Sequence, residues 1–101
     1  MAPVTQINVF SIKRGRTDEF IEAQKSYIGS IDLPPGLIGA RMYKSADGKS
    51  AVLVAQYESA RALEEVQQRE VLRRHIDAVR PMVESSSPSL YEEVYTTGSF
   101  K

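Results

Sequence analysis

Apolar and polar positions recur along the chain in a pattern that predicts strands and helices in alternation. The run from Val4 to Ile12, VTQINVFSI, is rich in β-branched and aromatic residues and predicts a first strand. After the basic turn KRGR, Thr17 stands where a helix cap is expected. Positions spaced by three and four then indicate a helix with one buried stripe. The stripe consists of Phe20, Gln24, Tyr27, Ile28 and Ile31.

A hairpin is predicted after the first helix. Two prolines end the helix, because neither can donate a backbone hydrogen bond. Leu37 to Lys44 and Ala51 to Glu58 are strand-like runs on either side of SADGKS. The Asp47-Gly48 pair in that linker is a strong turn signal, so we expect the two strands to pair antiparallel.

A second helical region and a last strand complete the pattern. Ser59 is a predicted cap for a short helix, a bend is expected near residues 67–69, and Pro81 ends or kinks the second piece. The stretch ESSSP, residues 84–88, predicts a loop, and Leu90 to Thr97 predicts the final strand. The inward positions of the short helix are Ala62, Leu63 and Val66.

The order β-α-β-β-α-β predicts an α+β fold, a ferredoxin-like unit with helices on one face of an antiparallel sheet. The run from Ala51 to Ala55 is apolar at consecutive positions, which indicates that both faces of the sheet are covered. Since the helices cover one face, a second copy is expected on the other. The pattern therefore predicts a homodimer.

Composition narrows the classes of function. A chain of 101 residues with 42% hydrophobic content predicts one domain over residues 1–101. The formal net charge of zero argues against a nucleic-acid partner. The absence of cysteine excludes disulfides and thiolate chemistry, and no stretch has the length of a signal peptide core or a membrane span. We expect a cytoplasmic protein without a membrane partner.

The only histidine, His75, borders apolar positions such as Leu72, Ile76 and Val79. Its side chain is the one whose unperturbed pKa lies near neutrality. It is either a core residue with one ring nitrogen hydrogen-bonded, or a base or ligand contact at the edge of a pocket. A single histidine also excludes an all-histidine metal site, and no metal is expected.

Strand one carries carboxamides on a face with apolar neighbours. Asn8 shares a face with Phe10 and Ile12, because side chains alternate along a strand. An unpaired buried amide costs about 1–3 kcal/mol, so Asn8 either bonds nearby backbone or water, or supplies a hydrogen bond to a ligand oxygen. Gln56 on the third strand could do the same.

Several segments together resemble the antibiotic biosynthesis monooxygenase family over residues 4–97. They are the strand INVFSIKRG, the stretch AQYESARALEEVQQREVLRRHIDAVRPMV and the closing YEEVYT. The Tyr57-Glu58-Ser59 step and the spacing from Arg73 through His75 to Pro81 carry most of the resemblance. It implies a dimeric α+β barrel, with a pocket between helices and sheet in each subunit.

The family includes cofactor-free oxygenases and haem-degrading enzymes. In the haem-degrading branch the functional set is a strand-one Asn, a helix Trp and a helix His. Asn8 matches the first and His75 falls close to the third, but Val66 stands at the Trp position and the chain has no tryptophan. This difference argues against haem degradation, and no cofactor is expected.

The resemblance implies a cofactor-independent monooxygenase that acts on a quinol, anthrone or similar aromatic molecule with O2. Asn8 would stabilise an oxyanion and His75 would be the base. Two alternatives stay open: a non-oxidative isomerase or cyclase, and a non-catalytic ligand-binding dimer on the same scaffold. The expected substrate-binding residues are Phe10, Gln56, Val66 and Leu72.

Overall fold

Strands and helices alternate between residues 2 and 100, the part of the chain that this computed structural model describes. Met1 and Lys101, the ends of the predicted domain, lie outside the described residues. A short 3-10 turn, Arg80–Met82, precedes the last strand. The elements are β1 Val4–Ile12, α1 Thr17–Ser30, β2 Leu37–Lys44, β3 Ser50–Tyr57, α2 Ala60–Gln67, α3 Glu70–Val79 and β4 Val83–Tyr91.

The four strands form one antiparallel sheet in the order β2-β3-β1-β4. The predicted ferredoxin-like α+β fold is therefore confirmed. β1 lies inside the sheet, and Asn8 pairs with Leu53 of β3 on one side and with Pro88 of β4 on the other. Residues directly opposite each other share a sheet face, so this register places these three side chains on the same face.

The helices pack on one face of the sheet and divide the core into two clusters. One cluster joins α2 to the ends of β1 and β3, and the other joins α1 and the end of α3 to the opposite ends of the strands. The buried members of the first cluster are Ala55, Tyr57, Ala62, Leu63 and Val66. Those of the second cluster are Ile12, Phe20, Ala51 and Val79.

The second helical region begins and breaks as predicted. The Ser59 hydroxyl accepts a hydrogen bond from the backbone N–H of Ala62 at 3.1 Å, which satisfies a free donor in the first turn of α2. The backbone leaves the helical conformation at Arg69, so α2 and α3 are separate helices.

The first helix differs from its prediction at three positions. It ends at Ser30, so Ile31, expected in the buried stripe, is the extended C-terminal cap residue. Arg16 is the N-terminal cap residue and Thr17 lies inside the helix, where its hydroxyl donates to the carbonyl of Gly48. Thr17 therefore holds the β2–β3 turn instead of capping the helix. Ile28, expected in the buried stripe, is 53% exposed, because only Phe20 of this helix is fully enclosed by the core.

The last strand begins earlier than predicted. The stretch 84–88, expected as a loop, lies inside β4, and the chain beyond Tyr91 is not strand. β4 is an edge strand that is exposed along almost its whole length, so it needs no apolar side chains, and an edge tolerates a proline. β1 begins at Val4, which leaves residues after Tyr91 almost no partner strand.

The sheet face opposite the helices is apolar at its centre. Two cross-strand pairs lie there: Ile7 with Val54, and Val9 with Val52. Val9 is 43% exposed. We call these four residues the outer patch. Within residues 2–100, none of the helices has the length and apolar character needed to cross a membrane.

Candidate functional site

The sheet is incompletely covered at the middle of its helix-facing side. Along β3, Ala51 and Ala55 face the helices and are 0% and 2% exposed. Leu53 lies between them on the same face, yet it is only partly buried. The two core clusters thus close the ends of the interface between helices and sheet and leave its middle less filled.

The facing helix shows the same gap. Leu72, Ile76 and Val79 form one stripe of α3, because they are spaced by four and three residues. Leu72 packs against the first cluster and Val79 is buried in the second. Ile76, between them, is 42% exposed. A large aliphatic side chain in the centre of a sheet-facing stripe is therefore open to solvent.

The uncovered space extends over β1 and β4. α1 covers the other side of the sheet, since its Phe20 and Ile21 pack in one cluster with Met42 of β2. On the β4 side, Pro88 and Leu90 face the helix layer and are exposed. We call the helix-facing side of β4 and the adjoining part of β1 the β4 trough.

An open groove forms one end of the trough. It has a volume of about 310 Å³ and lies between α2 and the strands β1 and β4. Pro88, the strand partner of Asn8, is one of its lining residues, so the groove reaches the position beside Asn8. Neither Asn8 nor His75 lines it directly. Other residues that line the groove are Gln6, Leu63, Glu64, Gln67 and Leu90.

Asn8 carries the most unusual polar atom of the site. Its side-chain oxygen Oδ1 is buried and has no hydrogen-bond partner, a state that no other buried side-chain atom shares within residues 2–100. An unsatisfied buried acceptor costs about 1–3 kcal/mol. The carboxamide therefore lies on the helix-facing side of β1, beside Pro88 in the strand register, with one enclosed acceptor unsatisfied.

His75 is half-buried and is held by α1. Its Nε2 lies 3.0 Å from Oε1 of Gln24, and its ring stacks on Tyr27 with centroids 4.1 Å apart and planes inclined by 12°. Burial lowers the pKa of His75 from its ordinary value of 6.5, so the ring is neutral at pH 7. The ring contacts α1, and no hydrogen bond joins it to Asn8.

Two tyrosines extend the aromatic wall beside His75. Burial raises the pKa of Tyr27, and burial together with the neighbouring Tyr27 raises the pKa of Tyr57. Both phenols are therefore neutral at pH 7. In the second cluster, Phe10 packs on Phe20 with ring centroids 5.2 Å apart. Both core clusters thus contain aromatic side chains.

The structure brings most of the predicted site residues to the helix-facing side. Phe10 is partly buried against the second cluster, Val66 is buried in the first, and Leu72 packs against the first. Gln56 does not join them. It lies on the opposite face, is exposed, and its Nε2 is 3.5 Å from the Thr5 hydroxyl.

Sequence patterns missed Gln24 as a site residue, although a signal was present. Gln24 is a carboxamide inside an otherwise apolar helical stripe, and it binds the only histidine. The exposure of Ile76 had no comparable signal, because its position in the stripe predicts burial. Among residues 2–100, no three His, Asp or Glu side chains lie close enough together to hold a metal ion.

The fold defines the class of protein: a ferredoxin-like α+β domain whose helices pack on one face of the sheet in two separate clusters. The family model for antibiotic biosynthesis monooxygenase matches residues 3–78. The chain belongs to this family. A search among curated proteins finds no match.

Solved structures of proteins from several bacteria share this fold. A putative antibiotic biosynthesis monooxygenase from Nitrosomonas europaea is 22% identical, with a TM-score of 0.81 over 95% of this chain and 94% of that one. SnoaB from Streptomyces nogalater, a cofactor-independent oxygenase, is 21% identical, with a TM-score of 0.82 over 95% and 97%. Rv0793 from Mycobacterium tuberculosis is 19% identical, with a TM-score of 0.81 over 96% and 100%. The TM-scores show that these proteins share the fold, and at identities below 25% the comparison shows the fold alone.

Proposed function

We propose that this protein is a cofactor-independent monooxygenase that oxidises a quinol, an anthrone or a similar aromatic molecule bound in the β4 trough. The observation that carries the proposal is the buried, unpartnered oxygen of Asn8, whose strand partner Pro88 lines the groove. Membership of the antibiotic biosynthesis monooxygenase family and a fold shared with SnoaB support it.

The chemistry requires an electron-rich anion in a place with little water. A phenolate or carbanion passes an electron to O2, so the protein must bind, deprotonate and desolvate its substrate. The carboxamide of Asn8 accepts a hydrogen bond from the substrate hydroxyl through Oδ1. After a half-turn about the Cβ–Cγ bond, its N–H donates to the oxyanion instead.

His75 is the base in this proposal. A general base must be unprotonated at the working pH, and burial supplies that condition by lowering the pKa of His75. It is the only histidine, and Tyr27, which stacks on it, is neutral at pH 7.

The proposed substrate contacts are apolar. Phe10 and Leu72 are partly buried and border the middle of the interface between helices and sheet, whereas the buried Val66 shapes the wall behind them. Gln56 is left out of the proposed site, because the sheet separates it from Asn8. Flat aromatic substrates suit such walls, since ring faces bury large apolar areas.

We also propose that the protein forms a homodimer through the outer patch. Ile7, Val9, Val52 and Val54 present a contiguous apolar surface on the helix-free face, and sheets with both faces covered have strands that are apolar at consecutive positions. Apolar patches of this kind mark sites of association.

One observation favours a second candidate, a non-catalytic ligand-binding dimer. The His75 ring is stacked on Tyr27 and bonded to Gln24, so its surroundings on the α1 side are filled. In that case an aromatic ligand would bind in the trough through Asn8 without being oxidised. A non-oxidative isomerase or cyclase would share the same base and the same trough.

Oxygen uptake on a panel of quinols and anthrones, with a metal chelator present, tests the proposal. We expect one class of substrate to drive uptake. Asn8→Ala should reduce turnover about 10²–10³-fold and His75→Ala about 10²–10⁴-fold, while Gln68→Ala, an exposed carboxamide outside the trough, changes nothing. Binding of the panel without uptake would reject oxygenation and support the second candidate.

A further inference from the structure

The contact between Gln24 and His75 determines which ring nitrogen carries the proton. Oε1 of Gln24 lies 3.0 Å from Nε2 of His75. Oε1 is the atom of Gln24 that faces the ring, and a carbonyl oxygen accepts a hydrogen bond, so in this arrangement Nε2 donates. A neutral imidazole has one N–H, and Nδ1 is then left with a free lone pair.

The stacking on Tyr27 holds the ring in that orientation. The two rings lie 4.1 Å apart and are nearly parallel, so the imidazole cannot tilt without losing this contact. A half-turn about the Cβ–Cγ bond keeps the stack but brings a ring carbon to the place of Nε2. That exchange removes the hydrogen bond to Gln24, and it is therefore disfavoured.

We propose that Gln24 is a positioning residue that keeps His75 in the Nε2–H tautomer and so makes Nδ1 the nitrogen that accepts a proton. The inference rests on the proposed function for the identity of the proton donor, and it adds which atom takes the proton. In that step the substrate O–H bond breaks, an N–H bond forms at Nδ1, and the electron pair stays on the substrate oxygen.

A glutamine suits this role better than an acid does. A carboxylate at position 24 would also accept from Nε2, but its charge would stabilise the imidazolium and keep the ring protonated near neutral pH. The neutral carboxamide orients the ring without adding charge. His75 therefore remains an unprotonated base while its orientation stays defined.

Nitrogen NMR of protein labelled with ¹⁵N-histidine tests the inference without any substrate. His75 is the only histidine, so the spectrum contains a single imidazole. Above the pKa of the ring we expect Nε2 to give the signal of a protonated nitrogen and Nδ1 that of an unprotonated one. A ring protonated at Nδ1, or an even mixture of the two tautomers, would overturn the inference.

Three variants separate a positioning role from a merely structural one. In Gln24→Met, which keeps the length of the side chain and removes the acceptor, we expect the tautomer preference to weaken. In Gln24→Glu the Nε2–H tautomer should persist and the pKa of His75 should rise by about 1 pH unit or more. Gln68→Met, an exposed control, should leave the spectrum unchanged.

An unchanged tautomer in Gln24→Met, or an unchanged His75 pKa in Gln24→Glu, would overturn the role of Gln24. If Gln24→Met does not fold, the wild-type protein and Gln24→Glu still decide the question. Failure of the proposed reaction is seen separately: the expected tautomer without any oxygen uptake would reject oxygenation and leave the role of Gln24 intact.

Discussion

Three polar side chains, Asn8, Gln24 and His75, interrupt apolar faces of β1, α1 and α3. Gln24 and His75 satisfy each other across the helix pair, whereas Asn8 Oδ1 has no partner. The same sequence signal thus has two physical outcomes. A polar residue in an apolar stripe indicates that a partner is needed, and only the three-dimensional arrangement shows whether another residue of the chain supplies it.

Burial of His75 makes stability depend on pH in a defined direction. The folded pKa lies below 6.5, the ordinary value that applies to the unfolded chain, so the unfolded state binds more protons as the pH falls. The contribution of the neutral ring is therefore complete above about pH 6.5 and declines as the pH falls toward the folded pKa. Tyr27, stacked on the ring, stays neutral in this range because burial raises its pKa.

We expect urea unfolding of the wild-type protein to show this decline as the pH falls below about 6.5. His75→Gln, which does not titrate, should lose less stability over the same range. Carboxylates contribute equally to both proteins, so the difference between them isolates His75. An identical pH dependence in the two proteins would show that His75 titrates alike in the folded and unfolded states.

Among the strands, β1, β2 and β3 were predictable, whereas the edge strand β4 was not. β1 and β2 match their predicted bounds, and β3 is shifted by one residue at each end, because their side chains build the core and carry the apolar pattern. The side chains of β4 are almost all exposed, and the strand is held to β1 by backbone hydrogen bonds. The serines at 85–87, which predict a loop, do not prevent this pairing. Backbone pairing at an exposed edge leaves almost no trace in hydropathy.

The elements also limit how much of the site could be predicted. Alternation along β1 correctly placed Asn8 on the face of Phe10 and Ile12. The trough itself depends on how far α3 stands from the sheet and on the absence of a helix over β4. Both are properties of how several elements pack together, and the hydrophobic stripe of a single helix does not contain them.

The loop before β2 illustrates how an element constrains its neighbour. Gly36 has a φ of +88°, and a Cβ built on it would lie 2.5 Å from the Cβ of Ala62 in α2. A positive φ costs any residue with a side chain about 1–2 kcal/mol. Gly36→Ala should therefore destabilise the protein by more than this amount. Gly48 has a φ of +73° with open space around it, so Gly48→Ala measures the effect of φ alone.

Thermal or urea unfolding of both glycine variants gives the comparison. We expect Gly36→Ala to lose clearly more stability than Gly48→Ala, with the excess caused by displacement of α2. Equal losses would mean that α2 accommodates the added methyl group without any further loss of stability.

At the scale of the whole molecule, the outer patch should determine the state of association. Sedimentation equilibrium at micromolar concentration should show a dimer. Val52→Glu, which places a charge in the centre of the patch, should give a folded monomer, because an unpaired charge is not tolerated in an apolar interface. Val94→Glu is the matched control, since Val94 is 89% exposed in the segment after β4.

A wild-type protein that sediments as a monomer would remove the dimer proposal. A dimer that persists in Val52→Glu would place the interface elsewhere on the surface. Neither result would affect the trough, because the sheet separates the trough from the outer patch.

The side-chain oxygen of Asn8 is buried without a hydrogen-bond partner, and this arrangement lowers the stability of the protein when no ligand is bound. Replacing Asn8 by leucine removes the unsatisfied oxygen and keeps a similar shape. Asn8→Leu should raise the free energy of unfolding by about 1–2 kcal/mol, within the range for relieving an unpaired buried group. Gln24→Met is the matched contrast: its carboxamide is satisfied by His75, so its loss should lower stability.

The most direct measurement is the stability of Asn8→Leu together with its oxygen uptake on the substrate that the wild-type protein oxidises. We expect a more stable protein that has lost at least about 10²-fold in turnover, because in the proposed site Asn8 binds the substrate and its Oδ1 stabilises no part of the fold. An Asn8→Leu protein that is less stable than wild type and still consumes oxygen at the wild-type rate would contradict the proposed site.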